Sequence, residues 1–199
     1  TRYWRDWSSD VCSSDLRELR HLKRQGQQPL TVLDIGCGGG DLAVMLARWA
    51  ASDGIPMRIT GIDPDPRAAS FAKGRPPMPG VEFRQAHSGE LVREGAAFDV
   101  VISNHMLHHL GPEELRHLLA DSEILASRKA LHNDLVRSPI AFALFSVAAL
   151  PFRRSFIRQD GLTSIRRSYR PAELAAAAPP GWSVERSWAF HQVLTYRKG

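Results

Sequence analysis

The sequence predicts an α/β domain: a doubly wound, mostly parallel sheet of about seven strands that closes on an antiparallel strand. Three observations predict it. Short apolar runs alternate with helix-like segments from residue 30 to residue 136, the pattern of a parallel sheet covered on both faces. A glycine cluster lies directly between the first strand and its helix. Trp182–Trp188 and His191–Arg197 then read as strands separated only by Ala189 and Phe190, which pairs them antiparallel.

Composition sets the frame. The chain has 199 residues, 43% apolar and 24% charged, which suits one globular domain and excludes a disordered tail, a collagen-like fibre and a disulfide-stapled miniprotein. Its net charge of +5 suits anionic partners as well as plain solubility. The longest apolar stretch, Pro139 to Phe152, is too short to cross a bilayer, and no secretory signal is legible. Cys12 and Cys37 lack metal-ligand spacing, so no metal is expected, and a reduced cytoplasmic setting is the default expectation.

Residues 1–16 (TRYWRDWSSDVCSSDL) carry two of the five tryptophans and no helical or strand period. They resemble translated sequencing-adapter read-through and are set apart from the fold as a non-native tail, with the natural start expected to be missing. Residues 17–199 are then one domain.

Within it, Arg17 to Gln25 reads as a surface helix stopped by Pro29. Leu30–Ile35 is a short buried strand, Asp41–Ala51 a well-packed helix, and Met57–Asp63 the second strand. Pro66–Lys73 is a short helix with Asp65 as its cap. Val81–Ala86 alternates as a third strand, and Phe98–Ser103 is the fourth. Pro112–Ala126 is an amphipathic helix with Leu115, Leu118, Leu119 and Leu125 on one face; Lys129–Val136 is the fifth strand. An apolar segment, an arginine-rich loop and a short helix from Pro171 precede the closing pair.

The informative motif is Val32-Leu33-Asp34-Ile35-Gly36-Cys37-Gly38-Gly39-Gly40-Asp41. Glycines let the backbone turn sharply and approach a ligand, and the next helix offers unpaired N–H groups. Asp63 ends the second strand, placed to accept both hydroxyls of a ribose. Gly38, Gly40 and Ala43 also satisfy a relaxed dinucleotide pattern, so an NAD-dependent oxidoreductase is a rival reading. Asp34 decides between them: a carboxylate at the loop entrance repels a pyrophosphate and suits a cationic ligand such as S-adenosylmethionine.

VLDIGCGGGD, GIDPDP and FDVVISNHMLHHL together resemble the class I S-adenosylmethionine-dependent methyltransferases of the small-molecule type, whose core is Rossmann-like. HNDLVRSP and RQDGLTSIRRSYRPAEL resemble members related to quinone and polyketide-tailoring enzymes of secondary metabolism. The resemblance implies methyl transfer to a small aromatic or lipophilic acceptor, oxygen before carbon, with S-adenosylmethionine as cofactor. It places Asp34, Gly36, Cys37, Gly38 and Gly40 in the cofactor loop, Asp63 at the ribose, Pro64 and His87 beside the adenine, and Asn104 near the transferable methyl. Where that family commonly has an acid after the third strand, this sequence has Ala86-His87-Ser88.

His108 and His105 are the candidate general bases, ahead of His109, although Leu107–Leu110 also fits a plain structural turn. Residues 137–170 read as a substrate-capping insertion with six arginines and one acid between Ser138 and Arg170. Arg158, Arg166 and Tyr169 are candidates to hold an acidic or phenolic group, and transient membrane contact is the minor reading of the apolar helix. No aromatics interleave the basic cluster, so no nucleic-acid partner is expected. The remaining alternative is a non-catalytic domain that binds cofactor or partner without turnover.

Overall fold

The computed structural model describes residues 29–150, 156–187 and 190–199. The expected helix at Arg17–Gln25, the tail with Cys12, Arg153, Arg154 and Trp188 fall outside that range. Seven strands form one sheet: β1 (Leu30–Ile35), β2 (Met57–Asp63), β3 (Val81–Gln85), β4 (Phe98–Asn104), β5 (Ala126–Leu135), β6 (Trp182–Arg186) and β7 (His191–Arg197). Their spatial order is β3-β2-β1-β4-β5-β7-β6. β1 to β5 run parallel, and β7 lies antiparallel to both β5 and β6.

The connecting helices are α1 (Asp41–Ser52), α2 (Pro66–Lys73), α3 (Ser88–Arg93), α4 (Pro112–Leu125), α5 (Pro139–Ala148), α6 (Phe156–Arg167) and α7 (Pro171–Ala177). None is long and apolar enough to cross a membrane. The core lies on both faces of the sheet. Leu33, Val101, Leu115, Leu119 and Leu194 form one side, and Val32, Ala43, Leu46, Ile59 and Ile102 the other, against α1. The order reverses between β1 and β4, so the loops leaving these two strands diverge and open a crevice at their carboxyl ends.

The structure corrects four details of the sequence reading. Ser88–Arg93 is a helix, started where Glu90 Oε1 accepts the His87 backbone N–H at 2.8 Å. The expected arginine-rich loop is largely helix α6. β5 begins at Ala126, directly after α4, and β6 ends at Arg186. Gly61, inside β2, makes room for an aromatic: a Cβ there would stand 2.7 Å from the Phe83 ring.

Within this stretch, α5 and α6 pack on each other as a helical hairpin. Phe142 and Phe145 of α5 pack with Leu135, Ala141 and Ile165, while Ile140, Leu144 and Val147 line the outer face and are exposed. Arg166 lies over the Phe142 ring at 4.6 Å. Phe145 enters a notch at Gly161, where a Cβ would meet the ring at 2.4 Å. In free space, Gly161→Ala would stabilise a helix by ~1 kcal/mol. Here the ring clash reverses the sign, and a net loss of about 1–2 kcal/mol is expected, read as a lowered Tm in thermal unfolding. A raised Tm would show that the hairpin does not depend on this notch.

Candidate active site at the carboxyl edge of β1 and β4

The glycine loop follows β1 at the centre of the sheet. Gly36, Gly38 and Gly40 have φ of +69°, +53° and +78°, a conformation that excludes most side chains, and open space faces the missing Cβ of Gly38. Gly36 faces the other lip of the crevice: a Cβ there would stand 2.4 Å from Met106 Sδ, so the loop after β4 packs on the loop after β1. Gly40 opens α1 and brings no capping side chain to its first turn.

The two aspartates of the sequence reading converge here. Asp34 is 1% exposed, and its Oδ2 is buried without a hydrogen-bond partner. Burial first, and then the charge of nearby Asp63, push its carboxyl up to about 7. Asp63 uses both oxygens locally: Gly38 N–H donates to Oδ2 and Asp65 N–H to Oδ1, each at 2.9 Å. Each carboxylate oxygen has a second lone pair left for a ligand hydroxyl. Asp65 caps α2 through the Arg67 N–H, as expected.

Cys37 sits among these acids, and burial together with Asp34 and Asp63 pushes its thiol up to about 12; it is inert. Arg75 is a contributor that sequence reasoning missed. Its Nη1 donates to the Gly39 carbonyl at 2.6 Å and pairs with Asp41 Oδ1 at 2.7 Å, clasping the loop from the segment that follows α2.

The β4–β5 side of the crevice is rich in histidine. Leu107–His109 is a single 3-10 turn. His108 Nδ1 lies 2.7 Å from Asp134 Oδ1, and the His108 backbone N–H donates to Asp134 Oδ2 at 2.7 Å, with both side chains 2% exposed. His105 takes a left-handed φ of +54° and gives its N–H to the Asn133 carbonyl. Burial, then His191, hold its imidazole down at about 4, and the two rings meet edge to face at 5.3 Å. His105 is therefore neutral at physiological pH.

The remaining sequence candidates are placed as follows. Asn104 ends β4 and bonds to Asn133 of β5. Pro64 is exposed and its carbonyl accepts from Gln85. His87 lies at the end of β3, exposed, as the cap of α3. Arg158 lies on α6 with its Nε buried and unpartnered. Arg166 is committed to Phe142, and the Tyr169 hydroxyl donates to the Leu110 carbonyl at 3.3 Å, so both brace the hairpin and its return. Among the described residues, no cluster of His, Cys, Asp and Glu has the arrangement of a metal site.

A buried, unpartnered carboxylate beside a glycine cradle open at Gly38 fits a cation-bearing nucleoside and disfavours a pyrophosphate. Fold and site thus define a nucleoside-cofactor domain of the doubly wound α/β class. Residues 32–127 match the family described as a methyltransferase domain. The ubiquinone biosynthesis O-methyltransferase of Azorhizobium caulinodans is 34% identical over 137 residues, 68% of this chain and 50% of that protein. Its counterpart from Xanthomonas axonopodis pv. citri is 34% identical over 149 residues, 73% and 59% of the two chains. The chain thus spans about half the length of the curated relatives it matches.

Two solved structures share the fold. The plantazolicin methyltransferase BpumL with S-adenosylhomocysteine superposes at TM-score 0.67 and 12% identity, over 89% of this chain and 79% of that one. The magnesium protoporphyrin IX methyltransferase of Synechocystis superposes at 0.57 and 19%, over 94% and 82%. Residues 32–127 thus resemble a methyltransferase domain, and the chain has the fold of these two S-adenosylhomocysteine-bound structures.

Two outcomes follow for the cofactor side. Asp34 is uncharged in the free protein below about pH 7, whereas a bound ammonium requires the carboxylate. Cofactor affinity should therefore fall as pH drops through 7, with up to one proton released per site at pH 6, measurable by calorimetry in buffers of different ionisation enthalpy. Asp34→Asn should raise the Tm of the free protein at pH 8 by removing an unpaired buried charge. The same change should weaken S-adenosylhomocysteine binding about tenfold or more, and an unchanged affinity would sink the role given to Asp34.

Proposed function

We propose that the protein transfers the methyl group of S-adenosylmethionine to a hydroxyl oxygen of a small aromatic or lipophilic acceptor, with His108 as general base. The observation that carries the choice of oxygen is the buried His108–Asp134 pair on the acceptor side of the crevice. A hydroxyl attacks a methyl group better as its proton leaves, and a positioned imidazole supplies that help.

When bound, S-adenosylmethionine supplies a methyl group on a sulfonium, which an oxygen lone pair takes in line with the departing sulfur. Asp34 holds the cationic end of the cofactor, and Asp63 holds the glycine loop in place while its free lone pairs accept ribose hydroxyls. Asp134 fixes the tautomer of His108: Nδ1–H donates to the carboxylate, so Nε2 keeps the lone pair that takes the acceptor proton. In this reading the α5–α6 hairpin is the cap over the acceptor, and the packing of α6 on the 3-10 turn supports it. The names of the relatives support oxygen as the methylated atom. The exposed outer stripe of α5 leaves transient membrane contact as part of the same reading.

A labelled-cofactor assay against a panel of phenols and quinols tests the proposal. His108→Gln should lower kcat about 100-fold at pH 7, in the usual range for a general base. The deficit should shrink towards pH 10, where phenols ionise unaided, and S-adenosylhomocysteine affinity should stay unchanged. An equal loss at every pH would make His108 a structural residue. Cofactor binding without turnover of any acceptor would favour the non-catalytic alternative.

A further inference from the structure

We propose that Asn133, through its hydrogen bond to Asn104, sets the polarity that the site offers the nucleophile and so selects an acceptor oxygen over an acceptor nitrogen. The inference deepens the methyl-transfer reading and rests on it. Asn104 and Asn133 are register partners on the last paired rung of β4 and β5.

Strand alternation puts both on the sheet face that carries Val32, Ile59, Ile102 and Leu131, the face covered by α1. Asp34 and Asp63 end the columns of β1 and β2 on that same face. At the carboxyl edge the apolar columns therefore give way to one polar row, Asp63, Asp34, Asn104 and Asn133. The first two address the cofactor, and the last two lie on the β4–β5 side, towards the histidines.

Asn133 Nδ2 donates to Asn104 Oδ1 at 2.6 Å. The bond turns the Asn104 carbonyl towards Asn133, fixes the amide orientation and leaves its two N–H groups for a ligand. Asn133 is 3% exposed, and its own Oδ1 is buried without a partner. Packing alone disfavours an amide with an orphaned oxygen at such a position, whereas a device that fixes the orientation of Asn104 requires the donor.

The neighbouring backbone is tied down as well, since the His105 N–H donates to the Asn133 carbonyl. A hydroxyl or phenolate oxygen meets the Asn104 N–H groups as an acceptor. A neutral amine turns its lone pair to the methyl and its own N–H groups to the protein, so donor would face donor.

The test uses a matched pair of probes, 4-heptylphenol and 4-heptylaniline, with the whole chain and labelled S-adenosylmethionine. Asn133→Leu removes the donor at similar volume and frees Asn104 to turn. Asn133→Asp at pH 9 accepts from Asn104 and turns its carbonyl outwards. The ratio of kcat/KM for phenol over aniline should fall at least tenfold in the leucine variant and further in the aspartate variant, with S-adenosylhomocysteine affinity unchanged. A ratio that stays at the wild-type value in folded variants overturns the proposal.

Calorimetric binding of both probes to the S-adenosylhomocysteine complex separates the two levels. A wild-type protein that binds the phenol and transfers no methyl overturns the transfer reading. In that case the loss or retention of phenol-over-aniline binding preference in Asn133→Leu still supports or overturns the role of Asn133.

Discussion

The carboxylate of Asp34, buried at the end of the central strand with one oxygen unbonded, is the constraint around which the carboxyl edge is organised. Its carboxyl is pushed up to about 7 in the fold, against an unfolded value near 4. A group shifted in this direction contributes its full stability below about pH 4 and loses it as pH rises through 7. At neutral pH the fold thus carries a cost of a few kcal/mol at this one site. A bound cation removes that cost, so the site gains in binding what the free fold gives up. The neighbours offer no cheaper local solution: Asp63 is itself an acid and adds to the cost, and Arg75 is bonded to Gly39 and Asp41.

The sequence carried those parts of the fold whose signals are local. β1, β2, α2 and β7 lie between the residues expected, because glycine, proline and aspartate mark their ends and apolar runs fill them. α3 and α6 were hidden by the opposite circumstance. α3 contains Gly89, and its start depends on a side chain, Glu90, reaching back to the His87 backbone. α6 contains Gly161, Asp160 and Thr163, poor helix formers, and it is Phe145 seated at Gly161 that makes the glycine useful. Tertiary packing overrides propensity there, and a window of sequence does not contain it.

The site divides along the same line. The glycine-loop half of the candidate site was legible, because the loop from Asp34 to Gly40 is one continuous motif and Asp63 follows at a readable distance. The β4–β5 half was legible only as isolated histidines. What turns His108 into a candidate base is Asp134, 26 residues away, and what orients Asn104 is Asn133, 29 residues away. Arg75 reaches Gly39 across 36 residues. A carboxylate inside the buried run Leu131-His132-Asn133-Asp134-Leu135 was the available signal for Asp134, since an acid in a central strand needs a partner.

That run shows how so polar a stretch can be buried in a central strand. Three consecutive polar residues, His132, Asn133 and Asp134, are buried in β5, which would be severely destabilising if they were unpaired. Each is met from β4 or from the turn that follows it: Ser103 Oγ lies 2.7 Å from His132 Nδ1, Asn104 pairs with Asn133, and His108 pairs with Asp134. Ser103 and Asn104 are the register partners of His132 and Asn133. A slip of one residue would turn His132 and Asn133 to the opposite faces and break both pairs at once. The β4–β5 register is therefore fixed by polar satisfaction as much as by Val100, Val101 and Ile102. The Asn104–Asn133 rung both locks this register and borders the candidate site, so an exchange there acts on folding as well as on the site.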